Sequence, residues 1–282
     1  MTLPEKFTFV QGKVKTIFAL DEPDKVLIQY EDKVTAGNGK REDYPEGKGE
    51  ICCKISELLK GKVKTVFSTD DPNLVLIQYE DKVTAGNGRK VDFPEGKGRV
   101  CCEISEFLFQ LLETYGISTH YISTFPRAIM SCKRVEIIPI EVVVRNVAAG
   151  SIVRQTTLEE GRIINWPLVE YYLKDDEKDD PLLTEDRIRL MGDYPLRDME
   201  QTAREVNGIM TKIFREIGLT LVDFKLEFGY DVDKNLLLAD ELSPDGMRLW
   251  KEGKSFDKDL FRKEKGDIVE AYTHILEKLQ NG

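Results

Sequence analysis

Between residues 219 and 239 the apolar positions fall into two bursts, Leu219 to Phe228 and Asn235 to Ala239, on either side of a polar turn, a pattern that predicts a β-hairpin. Within it Val222, Phe224, Leu226 and Phe228 alternate with Asp223, Lys225 and Glu227, so a strand there sets a core face against an acid-and-lysine face. Asp240 and Glu241 follow the second burst. Two readings of the charged face stand. It is either a solvated strand surface with cross-strand ion pairs or the wall of a magnesium–nucleotide site, since Mg²⁺ takes hard oxygen ligands and lysine neutralises phosphate. Elsewhere the period is helical: Ile104, Phe107, Leu108, Leu111, Leu112 and Tyr115 form one stripe ending at Gly116. Met199, Val206, Met210, Ile213, Phe214 and Ile217 form another, closed by Gly218, and Ile268, Tyr272, Ile275 and Leu279 mark a C-terminal amphipathic helix. Val135 to Val147, interrupted by Pro139, and Leu168 to Leu173 read as strands. Strands and helices do not alternate as in a doubly wound nucleotide fold, so the class expected is α+β.

The first third contains an internal repeat. Gly12 to Leu59 and Gly61 to Leu108 align without gaps at an offset of 49 residues, and 34 of the 48 positions are identical, as a recent tandem duplication leaves them. Two copies are too few for a solenoid, and nothing later repeats. Each copy reads as strand, turn, strand, glycine-rich loop, helix. In the second, Lys62 to Ser68 and Leu74 to Tyr79 flank the turn Asp70-Asp71-Pro72-Asn73, and a polar loop through Gly86, Asn87, Gly88 and Pro94 leads to the helix. In the first, the helix is cut at Leu59-Lys60, where the second copy begins without a linker. The second copy runs on into GISTHYIS, so it is expected to belong to the main fold and the first to be the addition. At Ser56 to Lys60 the demands of the first copy's helix and the second copy's leading strand conflict.

Composition narrows the function classes. With 41% hydrophobic and 33% charged residues the 282-residue chain is an ordinary globular protein with no apolar run of membrane-spanning length. The N-terminus lacks the pattern of a secretory signal, and a cytoplasmic location is expected. A net charge of −10 argues against a general nucleic-acid binder but leaves room for a local basic pocket. Cys52-Cys53 and Cys101-Cys102 are adjacent rather than spaced as metal ligands, and with Cys132 the odd total argues for buried free thiols. Only His120 and His274 are present, little material for a histidine triad or metal site, and His120 reads as structural.

Several short motifs are candidates for anion binding. Gly61-Lys62-Val63-Lys64, with its twin Gly12-Lys13-Val14-Lys15, offers backbone N–H groups and two lysines to a polyphosphate, or is a plain hairpin with surface lysines. Asp81 to Gly88 has the content of an anion nest or of a long surface turn. Arg145-Asn146-Val147-Ala148-Ala149-Gly150-Ser151 puts an arginine, small residues and a hydroxyl after an apolar strand, as a phosphate or carboxylate clamp requires. The run from Glu170 to Pro181 is a solvated charge run, or places Lys174 at a strand end within reach of a nucleotide.

In order and spacing, GKVKTVF, DKVTAGNG, EGKG, GISTH, EVVVRNVAAGS, KDDEKDDP, LVDFKLEFG, ADELSPDGMRLW and KDLFR closely resemble the phosphoribosylaminoimidazole-succinocarboxamide synthase (SAICAR synthetase) family. The resemblance covers residues 61 to 282, and the first copy resembles a second N-terminal piece of the same enzyme; the family pattern has no such duplication. It implies an ATP-dependent ligase that activates the carboxylate of an aminoimidazole ribonucleotide carboxylate (CAIR) as an acyl phosphate, which the amine of L-aspartate then attacks. ATP, Mg²⁺, CAIR and L-aspartate are the implied ligands, with no nucleic acid or membrane partner; a homo-oligomer is compatible with this reading.

Carried over by motif, Lys62 and Lys64 contact the ATP phosphates, with Lys13 and Lys15 as duplicate counterparts, and Lys174 contacts the nucleotide. Glu227 and Asp240 hold Mg²⁺ or ATP, with Lys225 beside them, and these three are the catalytic candidates. Arg145, Ser151, Ser243, Arg248 and Arg262 are the candidates for the imidazole nucleotide. Asp223 is left as a structural partner for a neighbouring lysine. The implied fold is ATP-grasp-like, a small N-terminal antiparallel sheet over a larger α+β lobe with ATP between them. Residues 1–60 are then the extra copy, 61–125 the N-terminal ATP-binding lobe, and 126–282 the substrate and Mg–ATP lobe. Two alternatives stay open at this stage: a phosphotransferase like the inositol-phosphate kinases, which have a similar Asp-x-Lys strand, and an inactive nucleotide-binding product of the duplication.

Overall fold

The computed structural model describes residues 8–11, 15–19, 26–30, 34–36, 41–43, 52–54, 56–85, 90–262 and 266–281; for those before Leu58 only the backbone is considered. The first copy forms a four-stranded antiparallel sheet, β1 (Thr8–Gln11), β2 (Lys15–Ala19), β3 (Val26–Tyr30) and β6 (Cys52–Lys54), with β4 (Val34–Ala36) and β5 (Arg41–Asp43) as a separate ribbon.

A five-stranded sheet is built on the second copy. Its order is β12 (Tyr121–Phe125), β13 (Ile129–Lys133), β9 (Leu74–Tyr79), β8 (Lys64–Ser68) and β7 (Ser56–Lys60), with β10 (Val83–Ala85) and β11 (Lys90–Asp92) as its ribbon. The edge strand β7 comes from the end of the first copy, so the expected boundary at residue 60 falls inside a sheet, and the helix expected there is replaced by strands. Ser56–Leu59 and Ser105–Leu108 differ at one position in four, yet the first stretch pairs with β8 and the second lies in α1 (Lys97–Thr114). The surroundings decide. Beyond Leu108 the helix continues into Phe109 and Leu112, both fully buried, whereas beyond Leu59 come Lys60 and Gly61, which leave no apolar stripe to bury. As a strand the segment instead satisfies the open edge of β8. A bulge between Glu57 and Leu59 leaves Leu58 and Leu59 exposed.

The start of α1 explains the EGKG motif. Asp81 accepts the backbone N–H groups of Gly96 (2.8 Å) and Gly98 (2.7 Å), capping the helix from the preceding hairpin. A Cβ at Gly98 would lie 2.6 Å from the Tyr79 carbonyl oxygen, so only glycine lets the helix start so close to β9.

The larger sheet carries the rest. It runs β16 (Leu182–Leu183), β15 (Ile163–Leu173), β14 (Glu136–Val147), β17 (Thr220–Tyr230), β19 (Met247–Lys251) and β20 (Lys254–Ser255), and β18 (Leu236–Ala239) shares the free edge of β17 with β19. Between β14 and β15 stands α2 (Ser151–Gln155), and α3 (Glu185–Met191) precedes α4 (Leu196–Glu216), which packs on β14, β15 and β17. Met199, Val206, Met210 and Phe214 of α4 enter the core as their spacing predicts. After α5 (Asp259–Arg262), α6 (Ile268–Asn281) lies against α1. The hairpin of β17 and β18 is where the pattern put it, with one shift: a bulge between Leu221 and Asp223 brings Leu221 into the main core with Phe224 and turns Val222 towards Val147 and Ala149. Among the described residues no helix is long and apolar enough to cross a membrane.

Candidate active site

The charged face of β17 is not a solvated one. Asp223 and Glu227 are as buried as the apolar residues beside them, and Glu227 and Lys225 line a cavity of about 530 Å³. Its walls come from β7, β8 and the turn between them, from β14 and β17, and from the segments after β15 and β18.

Four lysines meet carboxylates there. Lys64 of β8 stands 2.7 Å from Asp240 and 3.0 Å from Glu241. Burial pulls its pKa down, but the two carboxylates outweigh that and hold the ammonium above its ordinary value. Lys225 lies 2.7 Å from Glu141 and 2.8 Å from Glu227, and Lys174, just past β15, pairs with the other oxygen of Glu227. Lys62 reaches Asp176 at 2.5 Å. Glu141 and Glu227 are directly opposite in the β14–β17 register, where like charges repel, and Lys225 lies within reach of both. Burial raises the Glu141 pKa against the pull of Lys225.

Asp240, the residue after β18, lies in the left-handed region, with φ 63°. Aspartate tolerates that conformation better than most residues. Burial pushes its pKa up, but Lys64, Lys225 and Lys174 together hold it well below the usual carboxylate range. Behind it the buried His120 ring hydrogen-bonds the Asp240 backbone and packs edge-on against Phe109 at 5.3 Å. Burial lowers the His120 pKa to about 4, so it is a neutral structural histidine, as read from its sequence context. Cys101, Cys102 and Cys132 are buried free thiols.

A second charged cluster adjoins the other half of β17. Asp223 accepts from Arg145 at 2.8 Å and from Arg248 at 2.7 and 3.0 Å, so its partners are arginines rather than the lysine expected. Arg145 is buried, and its remaining N–H groups bond Glu170 (2.6 Å), Ser151 (2.8 Å) and Tyr172 (3.1 Å). It sets the positions of Ser151 and Asp223 rather than offering a free guanidinium. Arg248 keeps a buried Nε with no hydrogen-bond partner. Gly150 has φ 67° and ψ −123°, and a Cβ there would lie 2.5 Å from Arg248 Nη2, so the glycine of the RNVAAGS motif is what admits the arginine.

Other candidates fall elsewhere. Ser243 is fully buried and bonds Glu241 at 2.8 Å and the Asp245 N–H at 3.3 Å, so its hydroxyl builds the SPDG loop and does not face the cavity. Arg262 pairs with Asp259 at 2.5 Å at the end of α5. Lys13 lies outside the described residues, as does the side chain of Lys15. Glu141, Asp176 and Lys258, all on the cavity wall, were missed, whereas Glu241, which also lines it, belongs to the charged hairpin read from the sequence. Only strand register could have exposed Glu141, as the residue facing Glu227.

Fold and site define an α+β protein with a cavity rich in paired lysines and carboxylates, suited to a polyanionic ligand. The sequence signature of SAICAR synthetase matches residues 8–59 and again 57–279, and the chain belongs to the SAICAR synthetase family. It is 46% identical over 280 residues to the phosphoribosylaminoimidazole-succinocarboxamide synthase of Methanocaldococcus jannaschii, covering 98% of this chain and 95% of that one. To the Synechococcus enzyme it is 47% identical over 279 residues, covering 96% and 92%. A SAICAR synthetase solved in complex with ADP superposes with a TM-score of 0.77 at 37% identity, covering 79% of this chain and 97% of that one. The Ehrlichia chaffeensis enzyme gives 0.77 at 36%, covering 80% and 98%.

Proposed function

We propose that the chain joins L-aspartate to CAIR at the expense of ATP, acting in the cytoplasm in purine biosynthesis, with an ATP-grasp-like placement of the nucleotide between the small sheet and the larger lobe. The observation that carries this reading is the set of lysines, Lys64, Lys174 and Lys225, gathered with Glu227 and Asp240 on one cavity in a chain of this family. A carboxylate is a poor acyl donor until one oxygen is made a leaving group. An oxygen of the imidazole carboxylate attacks the γ-phosphorus of ATP, and the bridging P–O bond breaks with its electrons leaving on ADP. The aspartate amine, as free base, then attacks the acyl carbon. The C–O bond to phosphate breaks with its electrons, and the surplus amine proton passes to water.

The chain's own groups bind and orient. Lys62 and Lys64 approach the phosphates from the small sheet, Lys174 and Lys225 from the large one, and no enzyme nucleophile is required. Among the described residues no three metal-ligand side chains cluster into a closed metal cage. A buried carboxylate, Glu227, and a half-buried one, Asp240, beside the lysines suit Mg²⁺, which is commonly held by one or two carboxylates plus substrate phosphates. Glu227 and Asp240 would hold it, and it would supply charge neutralisation on the transferring phosphoryl group. Arg248 and Ser151 take the phosphate of the imidazole nucleotide, with Arg145 positioning both through Asp223 and the Ser151 hydroxyl.

The deciding measurement is ADP release by the full chain with ATP, Mg²⁺, CAIR and L-aspartate. Release should need both CAIR and L-aspartate for sustained turnover; release with inositol phosphates instead would defeat the reading.

A further inference from the structure

We infer that Tyr272 is a positioning residue for nucleotide binding: from the C-terminal helix it locks Asp245, and so fixes the SPDG turn on which the placement of Lys64 and Lys225 depends. The inference rests on the ligase reading above and adds to it a residue that does not line the cavity.

Three elements meet at one carboxylate. Lys97 opens α1, which packs on the small sheet, and Asp245 lies in the turn between β18 and β19 of the large one. Tyr272 belongs to α6, which lies against α1. All three side chains are buried. Lys97 pairs with one oxygen of Asp245, and the Tyr272 hydroxyl donates to the other at 3.0 Å. An ammonium is a compact charge that a carboxylate can meet from many angles, so Lys97 alone leaves Asp245 free to swivel. A second donor on the second oxygen removes that freedom. Burial pushes the Asp245 pKa up, but Lys97 and Lys258, with the Tyr272 hydrogen bond, outweigh it and hold the carboxyl below its ordinary value.

The turn passes this constraint to lysines on both sheets. On one side the Asp245 N–H donates to Ser243 Oγ at 3.3 Å, Ser243 donates to Glu241 at 2.8 Å, and the other Glu241 oxygen stands 3.0 Å from Lys64. On the other side the Gly246 carbonyl accepts the backbone N–H of Lys225 at 2.9 Å. Lys64 comes from the small sheet and Lys225 from the large one, so the spacing of the two cations is set where Asp245 joins the sheets. The tyrosine's place in α6 points the same way. Ile268, Ile275 and Leu279 share its stripe and bury only carbon, and a phenylalanine would fill the Tyr272 position equally well. Core packing explains the ring but not the hydroxyl.

Tyr272→Phe in the full chain keeps the ring and removes the hydroxyl. Equilibrium binding of Mg–ADP should weaken roughly tenfold, and kcat/KM for ATP should fall by the same factor. Double-mutant cycles with Lys64→Met and with Lys225→Met then separate positioning from general support. If Tyr272 acts through these lysines, its loss should change the Kd for ADP by about threefold or less once either is gone. The full tenfold factor in every background would make Tyr272 a general support of the fold, and an unchanged Kd in Tyr272→Phe would show that Lys97 alone holds Asp245; either result overturns the assignment. Should Tyr272→Phe fail to fold, Lys97→Arg, which keeps the charge and redirects its donors, is carried through the same cycles on the same criteria. ADP binding that follows the cycles in a chain without L-aspartate-dependent turnover would strike at the ligase reading alone.

Discussion

Lys64 and Asp240 face each other at 2.7 Å across the cavity, the first on the hairpin of the small sheet and the second at a left-handed bend of the large one. The pair joins the two sheets through the second copy of the repeat. If that hairpin serves ATP, Lys64→Met should lower kcat/KM for ATP by about a hundredfold or more, on the order of 3 kcal/mol for a charged contact to phosphate. Lys13→Ala with Lys15→Ala should leave it near the parent value. Activity lost in the double variant and kept in Lys64→Met would assign the site to the first copy.

Strand β7 yields a second expectation. Gln11 pairs with Thr16 as Lys60 pairs with Thr65, so Thr8–Gln11 stands to the first hairpin as Ser56–Lys60 stands to the second. Deleting residues 12–60 joins Gln11 directly to Gly61 and supplies β8 with a Thr-Phe-Val-Gln edge, richer in strand-forming residues than Ser-Glu-Leu-Leu-Lys. The shortened chain should fold, melt at the same or a higher temperature, and keep turnover. A collapse of thermal stability on deletion would mean that the first copy's sheet supports the rest.

Those two elements also mark how far the sequence could be read. The hairpin of β17 and β18, helices α4 and α6 and the boundaries of β9 were legible because period and turn residues act locally. The pairing of Lys225 with Glu141 was not, because it depends on the β14–β17 register, which spans 84 residues of chain. At Ser56–Leu59 the sequence set helix against strand without deciding between them, and only the shortness of the segment and the open edge of β8 settle it as a strand. Arg145 looked like a substrate arginine from its motif; only burial and four side-chain partners reveal it as the group that positions Ser151 and Asp223.

Gly150→Ala should act on the nucleotide subsite alone. The added methyl would lie 2.5 Å from the Arg248 guanidinium on a backbone that only glycine adopts readily, so Arg248 must move off Asp223. The expected result is a loss of ~2 kcal/mol in stability and a tenfold or greater rise in KM for CAIR, with KM for ATP unchanged. Parallel rises in both KM values would show that the damage spreads to the ATP wall.

His120 gives the fold a dependence on acidity. Its pKa is about 4 in the folded chain, below its ordinary value near 6.5, because burial penalises the imidazolium. The unfolded chain therefore takes up this proton first as pH falls. Stability from keeping His120 neutral is complete above about pH 6.5 and is lost as pH drops towards 4, by ~3 kcal/mol in all. Carboxylates titrate over part of the same range, so the measurement is a difference: urea unfolding of the parent and of His120→Gln between pH 4 and 7. The glutamine variant should start less stable at pH 7, since the ring's contacts with Phe109 and the Asp240 backbone are gone. The gap should then narrow as the parent pays the cost of protonation. A gap constant over the range would mean that His120 is protonated at no cost in the folded chain, and the neutral ring behind Asp240 would have to be abandoned.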